Sequence, residues 1–255
     1  MDPAKGGDVI GQLSAAVEQQ AVPRDIGLFE WLFDADTWTG PNGILASLWE
    51  TVVMCTAVTI VATIIAVPAA AIMAHLRKGE VSTTWAVSIS RAIPTFAIAA
   101  LLLPWSLRRG WGFEPWPIFI ALLLLALVPI YLTTYNAIRQ VPQESIDAAR
   151  ALGYTERSVL GAVEFALAAS VIITGIRVAA IQVVATEPIR AFLGGDGLGR
   201  YVRDGFGQNN NTLVIGGIIL IGGLAAVTGV TFVLLERLAL PHGVRRLGRQ
   251  QGENT

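Results

Sequence analysis

Five long apolar segments dominate this chain of 255 residues. A helix of about 20 apolar residues is long enough to cross roughly 30 Å of hydrocarbon, and it satisfies its backbone donors and acceptors internally. The segments of that length are Val52–Ala74, Trp85–Trp105, Ile118–Ala137, Phe165–Ala185 and Leu213–Leu235. We therefore predict an all-α integral membrane protein with five transmembrane helices.

The composition agrees with a bilayer as the solvent. Apolar residues make up 53% of the chain and charged residues 15%, against about 25% charged residues in soluble domains. The net charge of −1 provides no basic field for nucleic acid. The single cysteine, Cys55, lies inside an apolar segment and excludes an internal disulfide framework.

Residues 1–43 precede the membrane domain, which we place at 44–236. They contain no short apolar core followed by a small-residue cleavage site, so no cleaved signal peptide is predicted. Ile26–Phe33 is amphipathic and too short to cross. It predicts an interfacial helix with Trp31 and its phenylalanines at headgroup depth.

The orientation follows from the distribution of Lys and Arg. These residues are concentrated in the connections after the first, third and fifth spans, whereas on the opposite side they are spread over longer segments rich in Asp and Glu. Because positive connections stay in the cytoplasm, we expect the amino terminus and residues 1–43 outside, and the tail 237–255 inside.

The connection between the third and fourth spans, Gln140–Leu160, is polar but patterned, and we call it the connecting segment. Pro142 suits the first turn of a helix, Gly153 suits a helix end that needs positive φ, and Thr155 can cap a second helix. The pattern predicts a helix, a stop and a second helix that continues into the fourth span.

The first helix of the connecting segment has two distinct faces. Ile146, Ala149 and Leu152 share an apolar face, and Asp147 and Arg150 are three apart on another. Small alanines in the apolar face would let a second protein come close, as in helix-in-groove docking. A short surface helix that binds nothing fits the pattern equally well.

The stretch Asp147–Gly153, with sequence DAARALG, resembles the "EAA" motif of binding-protein-dependent ABC importer permeases. That motif reads E-A-A, three residues, G, nine residues, then I-x-L-P. Gly153 is in register, Asp147 replaces Glu, and Val163–Ala166 replaces I-x-L-P. Without the motif proline at Ala166, the resemblance predicts a straighter entry into the fourth span.

In that family the segment is a coupling helix that docks into a groove of the ATPase subunit. The resemblance implies the same for Glu144–Leu160, and it implies that the ATPase-coupling residues are Glu144, Asp147, Ala148, Ala149, Leu152 and Gly153.

The resemblance extends from Ile44 to Leu235. Ala92–Thr95, Val171–Arg177 and Phe192–Gly199 are similar to stretches of permeases for glycine betaine, choline, carnitine and related osmoprotectants. Arg91 and the stretch 187–190 depart from that pattern.

Several expectations follow from the resemblance alone. It implies the type I ABC importer permease fold in a bacterial cell membrane. It also implies a partner ABC ATPase dimer that binds ATP and Mg, an extracytoplasmic solute-binding protein, surrounding lipid, and a second copy or a homologous permease. No cofactor is expected in this chain.

The candidate residues of a translocation pathway or gate are Pro94, Arg177, Glu187, Gly197 and Gly199. A lone Arg at mid-span costs about 2.5 to 3.5 kcal/mol, so we expect Arg177 to have a structural partner. We expect Glu187 to pair with Arg190, the alternative being contact with a cationic solute. The glycine-rich stretch 194–199 lacks the context of a phosphate loop and is interpreted as a turn or gate contact.

For Arg91 and for four tryptophans we prefer a role at the membrane interface to a role in solute binding. Arg91 is expected to snorkel to the interface. The tryptophans suit aromatic belts, although their faces could also bind a quaternary ammonium. These tryptophans are Trp85, Trp105, Trp111 and Trp116.

No catalytic centre and no metal site are predicted. His75 and His242 lie on separate segments without ligand spacing, and neither a nucleophile–base pair nor a Walker motif is present. The alternatives to the osmoprotectant importer are an importer for another small solute of the amino-acid type and, less favoured, an ion-coupled transporter that uses Arg91, Arg177 and Glu187 as a charge relay.

Overall fold

A computed structural model of the chain describes residues 27–78, 94–113 and 115–239. Four of the described helices are long and apolar enough to cross a membrane. In chain order the helices are α1 (Leu28–Phe33), α2 (Ala35–Trp38), α3 (Ile44–His75), α4 (Thr95–Arg108), α5 (Trp116–Arg139), α6 (Gln143–Ala151), α7 (Glu156–Ser158), α8 (Phe165–Thr186), α9 (Ile189–Phe192), α10 (Gly199–Gln208) and α11 (Asn211–Ala239). The first, third, fourth and fifth predicted spans lie within α3, α5, α8 and α11, which confirms them.

The second predicted span is described only in part. Helix α4 has 14 residues and begins directly after Pro94. Residues 85–93 lie outside the described part of the chain, as do Arg91, Trp85 and His242. A fifth crossing therefore stays a prediction.

Helix α5 lies at the centre of the bundle and packs against α3, α4 and α8, while α11 packs against α8 and α10. Small residues allow these close approaches. From Ala62 onward the buried face of α3 is largely alanine, and at Gly175 of α8 an added Cβ would lie 1.7 Å from the hydroxyl of Thr133 in α5. These helix crossings thus depend on small side chains.

The tryptophan of the N-terminal helix is packed inside the protein. Trp31 in α1 is 1% exposed and meets the ring of Tyr201 edge-on at 5.4 Å, while its depth in a membrane stays a prediction. Gly216 of α11 makes the room, because a Cβ there would lie 2.3 Å from the indole. Phe29 and Phe33 are exposed, as the amphipathic pattern indicates.

The fourth span begins well before its apolar core. Helix α7, a π-helical turn at Val159–Glu164 and α8 follow one another without a break. The missing proline at Ala166 fits this uninterrupted entry. A π-helical turn is rare and changes which side chains face the neighbouring helices.

Candidate coupling segment and gate

The connecting segment has the predicted helix, stop and second helix. Gly153 has φ +86° directly after the C-cap of α6, and its N–H donates to the carbonyl of Arg150. A β-carbon is unfavourable at that φ, which explains glycine at this position. Thr155 caps α7 by accepting from the N–H of Ser158 at 3.4 Å. Pro142 lies one position earlier than expected, as the N-cap residue of α6.

The apolar face of α6 is covered by the chain itself. Ile146 and Ala149 are buried against Val141 and Val159. The prediction that they form an open docking face is wrong, because the π-helical turn packs on the same stripe. Leu152 does not share that face, since α6 ends at Ala151 and Leu152 is 79% exposed as its C-cap.

The open surface of α6 is different from the predicted one. Glu144, Asp147 and Ala148 are exposed, and they lie beside the exposed Ala151 and Leu152. Leu152 is thus a solvent-facing leucine on an otherwise polar surface. Ala149 supports this surface from beneath.

Charged side chains join the two helices of the connecting segment. Arg150 lies 3.5 Å from Asp147, as the spacing predicts, but its main partner is Glu156, which it meets with two hydrogen bonds of 2.9 and 3.0 Å. The hydrogen bonds that Arg150 donates to the Glu156 carboxylate raise the pKa of the Arg150 guanidinium. These groups are exposed, so each contact is weak on its own.

Sequence reasoning missed the role of His75. This residue ends α3, and its Nδ1 lies 2.7 Å from the buried carboxylate of Glu164, while its Nε2 lies 3.2 Å from Glu156. The sequence did contain a signal for the contact between His75 and Glu164. His75 follows the first span and Glu164 precedes the fourth, so both predicted ends lie on the same side of the membrane.

The predicted pairing of Glu187 with Arg190 is confirmed. The Arg190 Nε lies 2.8 Å from Glu187 Oε1, and both side chains are buried. Thr51 of α3 donates to Glu187 Oε2 at 3.3 Å and accepts from the N–H of Leu198 at 3.0 Å. This Glu187 cluster joins α3, the end of α8 and the glycine-rich turn, and sequence spacing gave no sign of Thr51.

The glycine-rich turn closes over the cluster. Gly197 has φ +91°, and a Cβ there would lie 2.5 Å from Arg190 Nη2. At Gly199 a Cβ would lie 2.2 Å from the carbonyl oxygen of Pro188. Both glycines are therefore needed for close packing, in agreement with a turn.

The remaining gate candidates do not converge on one point. Arg177 lies 3.8 Å from Glu236 of α11, the structural carboxylate partner that its depth predicts. Pro94 is the exposed N-cap of α4. Because Arg177 and Glu187 have separate partners, they do not form a relay with each other.

An arginine of the chain itself occupies the tryptophan faces. The Arg109 guanidinium lies 4.5 Å from the ring centre of Trp105 and 5.6 Å from that of Trp111. Trp111 in turn lies 6.0 Å from Trp116. This arrangement favours a structural role over a solute cage. The described residues offer no group of three or more His, Cys, Asp or Glu that could bind a metal ion.

Comparison with known proteins gives a consistent result. The sequence profile of the family described as "Binding-protein-dependent transport system inner membrane component" matches residues 62–242. The choline transport system permease protein OpuBB of Bacillus subtilis is 29% identical over 82% of this chain and 94% of its own length. The carnitine transport permease protein OpuCB of Listeria monocytogenes is 28% identical over 83% and 94%.

A solved structure has the same fold. A chain of the MetNI methionine ABC transporter in an inward-facing conformation superimposes with a TM-score of 0.67 at 18% sequence identity. The superposition covers 78% of this chain and 96% of the other. At that identity the likeness shows the fold alone.

Proposed function

Since this chain belongs to the family of binding-protein-dependent transport system inner membrane components, we propose that it is the pore subunit of an ATP-driven importer for osmoprotectants. The observation that carries the proposal is the family match over residues 62–242, which includes the whole connecting segment. The chain spans the membrane several times, as such a subunit must.

The solute class rests on the relatives. Permeases named for choline and for carnitine match this chain over nearly their whole length. Choline and carnitine are quaternary ammonium compounds, as is glycine betaine. We assign solutes of this chemistry to the importer, and we assign most of the selectivity to a separate extracytoplasmic binding protein.

The connecting segment is the proposed contact with the ATPase. Its exposed surface carries Glu144, Asp147, Ala148 and Leu152, and Gly153 fixes its end. We place it in the cytoplasm, with the amino terminus of the chain outside, in accordance with the positive connections. A separate ATPase dimer would bind ATP and Mg²⁺, and a second copy or a homologous permease would complete the pore.

The mechanism follows from linkage between the two kinds of subunit. ATP favours the closed ATPase dimer, and the connecting segments move with the surfaces that they contact. The pore then exchanges inward-facing for outward-facing access, because the two arrangements of the complex differ in their affinity for ATP.

Co-purification tests the proposal. The unaltered chain, extracted from its native membrane in mild detergent, is expected to bring an ABC ATPase with it. Leu152→Arg should reduce the bound ATPase at least tenfold, because it places a charge on the exposed leucine of the contact surface without touching the core. Phe206→Arg is the control, since Phe206 is 65% exposed at the opposite end of the bundle.

Either of two results contradicts the proposal. If no ATPase accompanies the unaltered chain, the chain does not work in an ATP-driven importer. If the ATPase accompanies Leu152→Arg as well as it does the control, the contact lies elsewhere.

A further inference from the structure

The end of α3 is joined to the connecting segment by a ring of side chains. His75 meets Glu156, Glu156 meets Arg150, and Arg150 meets Asp147. Gln143 donates to Asp147 at 3.0 Å and accepts from Arg77, which closes the ring just beyond the end of α3, two residues after His75. We call this set, which is His75, Arg77, Gln143, Asp147, Arg150 and Glu156, the polar ring.

The contacts of the polar ring are unequal. Asp147, Arg150 and Glu156 are exposed, so solvent screens their ion pairs. His75 and Glu164 have side chains only 11% and 5% exposed, and they meet at 2.7 Å. A buried carboxylate without a partner is strongly unfavourable. The contact of His75 with Glu164 is therefore stronger than the exposed ion pairs, and it holds the polar ring to the interior of the bundle.

His75 binds two carboxylates at once, one on each ring nitrogen. A neutral imidazole has a single N–H, and both contacts are hydrogen bonds when each nitrogen carries a hydrogen. The side chain thus links α3 to α7 through Glu156 and to the π-helical turn through Glu164.

Chain connectivity shows why this link matters. The connecting segment is covalently continuous with α5 and with α8, but not with α3. Helix α3 packs on α5 and α8 through a face whose second half is largely alanine, with Ala62, Ala66 and Ala70 among its residues. Because His75 contacts the connecting segment directly, it gives α3 a connection to that segment besides its packing on α5 and α8.

We propose that His75 is a positioning residue that makes the connecting segment and the adjoining end of α3 move as one body. The inference rests on the proposed function, in which an ATPase displaces the connecting segment. Displacement of α6 and α7 then reaches α3 through Glu156 and Glu164, in addition to reaching α5 and α8 through the backbone.

Hydrogen–deuterium exchange of the full chain in lipid nanodiscs tests the link itself. His75→Ala should make the amides of residues 148–158 exchange about tenfold faster, because the segment opens locally more often. Lys78→Ala is the matched control: it removes a cation from the same helix end, outside the polar ring, and should change nothing. Unchanged exchange in His75→Ala would overturn the proposal.

A second measurement tests transmission. In the complex with its ATPase, trapping with vanadate should alter exchange at residues 70–78 in the unaltered chain and in Lys78→Ala, but not in His75→Ala. A merely structural role would not remove this ATP-dependent change. Persistence of the change in His75→Ala overturns the proposal.

Failure of ATP-driven import and failure of the His75 link give different results. If no ATPase accompanies the unaltered chain, the proposed function fails, while the nanodisc measurement still decides the link. Should His75→Ala not fold, His75→Asn replaces it in both measurements, because asparagine is polar but too short to reach both carboxylates. Protection of residues 148–158 equal to that of the unaltered chain in His75→Asn also overturns the proposal.

Discussion

Glu187 and Arg190 show how this chain accommodates charge inside a membrane domain. Glu187 is fully buried and has Arg190 and Thr51 as partners. Two ions removed from water recover their lost hydration only through close contacts of this kind. A cationic solute would have to displace Arg190 to reach Glu187. We therefore interpret the pair as a structural tie between α3 and the end of α8.

Breaking this pair should destabilise the fold more than removing it altogether. Arg190→Met is expected to lower stability by about 3–5 kcal/mol, because it leaves Glu187 buried without its cation. Adding Glu187→Met to that variant should recover most of the loss. Thermal unfolding of the detergent-purified chain measures both effects.

Arg108→Met is the control for this comparison, since Arg108 is exposed in the last turn of α4, away from the Glu187 cluster. Its unfolding temperature should stay near that of the unaltered chain. Equal losses in Arg190→Met and in the double variant would contradict the interpretation.

At the scale of the helices, close approach depends on small residues. Gly175 of α8 faces Thr133 of α5, whose hydroxyl donates to the carbonyl of Pro129 at 2.7 Å. That hydrogen bond fixes the threonine, and its Cβ would lie only 2.6 Å from a Cβ at position 175. The α5–α8 crossing therefore has no room for a methyl group.

Gly175→Ala should destabilise the bundle by about 1–3 kcal/mol, which is the usual result of overpacking. Gly222→Ala in α11 is the matched control, because an added Cβ there meets nothing within 4 Å. It should be neutral or stabilising by about 0.5–1 kcal/mol, as alanine favours a helix over glycine. Thermal unfolding distinguishes the two, and equal effects would show that the crossing is not tight.

The helices were largely predictable because the membrane imposes a local rule. Any span must hold about 20 apolar residues, and the end signals at Gly153 and Thr155 are equally local. Contacts between distant residues follow no such rule: Glu164 and Glu187 meet partners 89 and 136 residues away. Spacing on a helix indicates neighbours only three or four residues apart.

For the connecting segment too, the sequence predicts the local pattern but not the contacts with other parts of the chain. The pattern of α6 correctly gives an apolar face at Ile146 and Ala149, but it does not indicate what covers that face. The covering element is the π-helical turn of the same chain. Trp31 is a comparable case, since the cavity that accepts it exists only because Gly216 comes near in the folded chain.

In the molecule as a whole, α3 is held at both ends by polar contacts and along its length by small residues. Thr51 joins the Glu187 cluster near one end, and His75 joins the polar ring at the other. The two residues are about 24 positions apart, which corresponds to roughly 36 Å of helix. A helix held in this way is suited to carry a displacement at the connecting segment across the bilayer.

Solute uptake into membrane vesicles tests the central claim, ATP-driven import of quaternary ammonium compounds, most directly. Labelled choline, glycine betaine and carnitine would be offered to sealed vesicles that contain the native complex and its binding protein, with and without internal ATP and with a protonophore. The account predicts uptake of at least one of them that requires ATP, survives the protonophore and is lost in Leu152→Arg. Uptake that continues without ATP and stops with the protonophore would contradict it and point to an ion-coupled transporter.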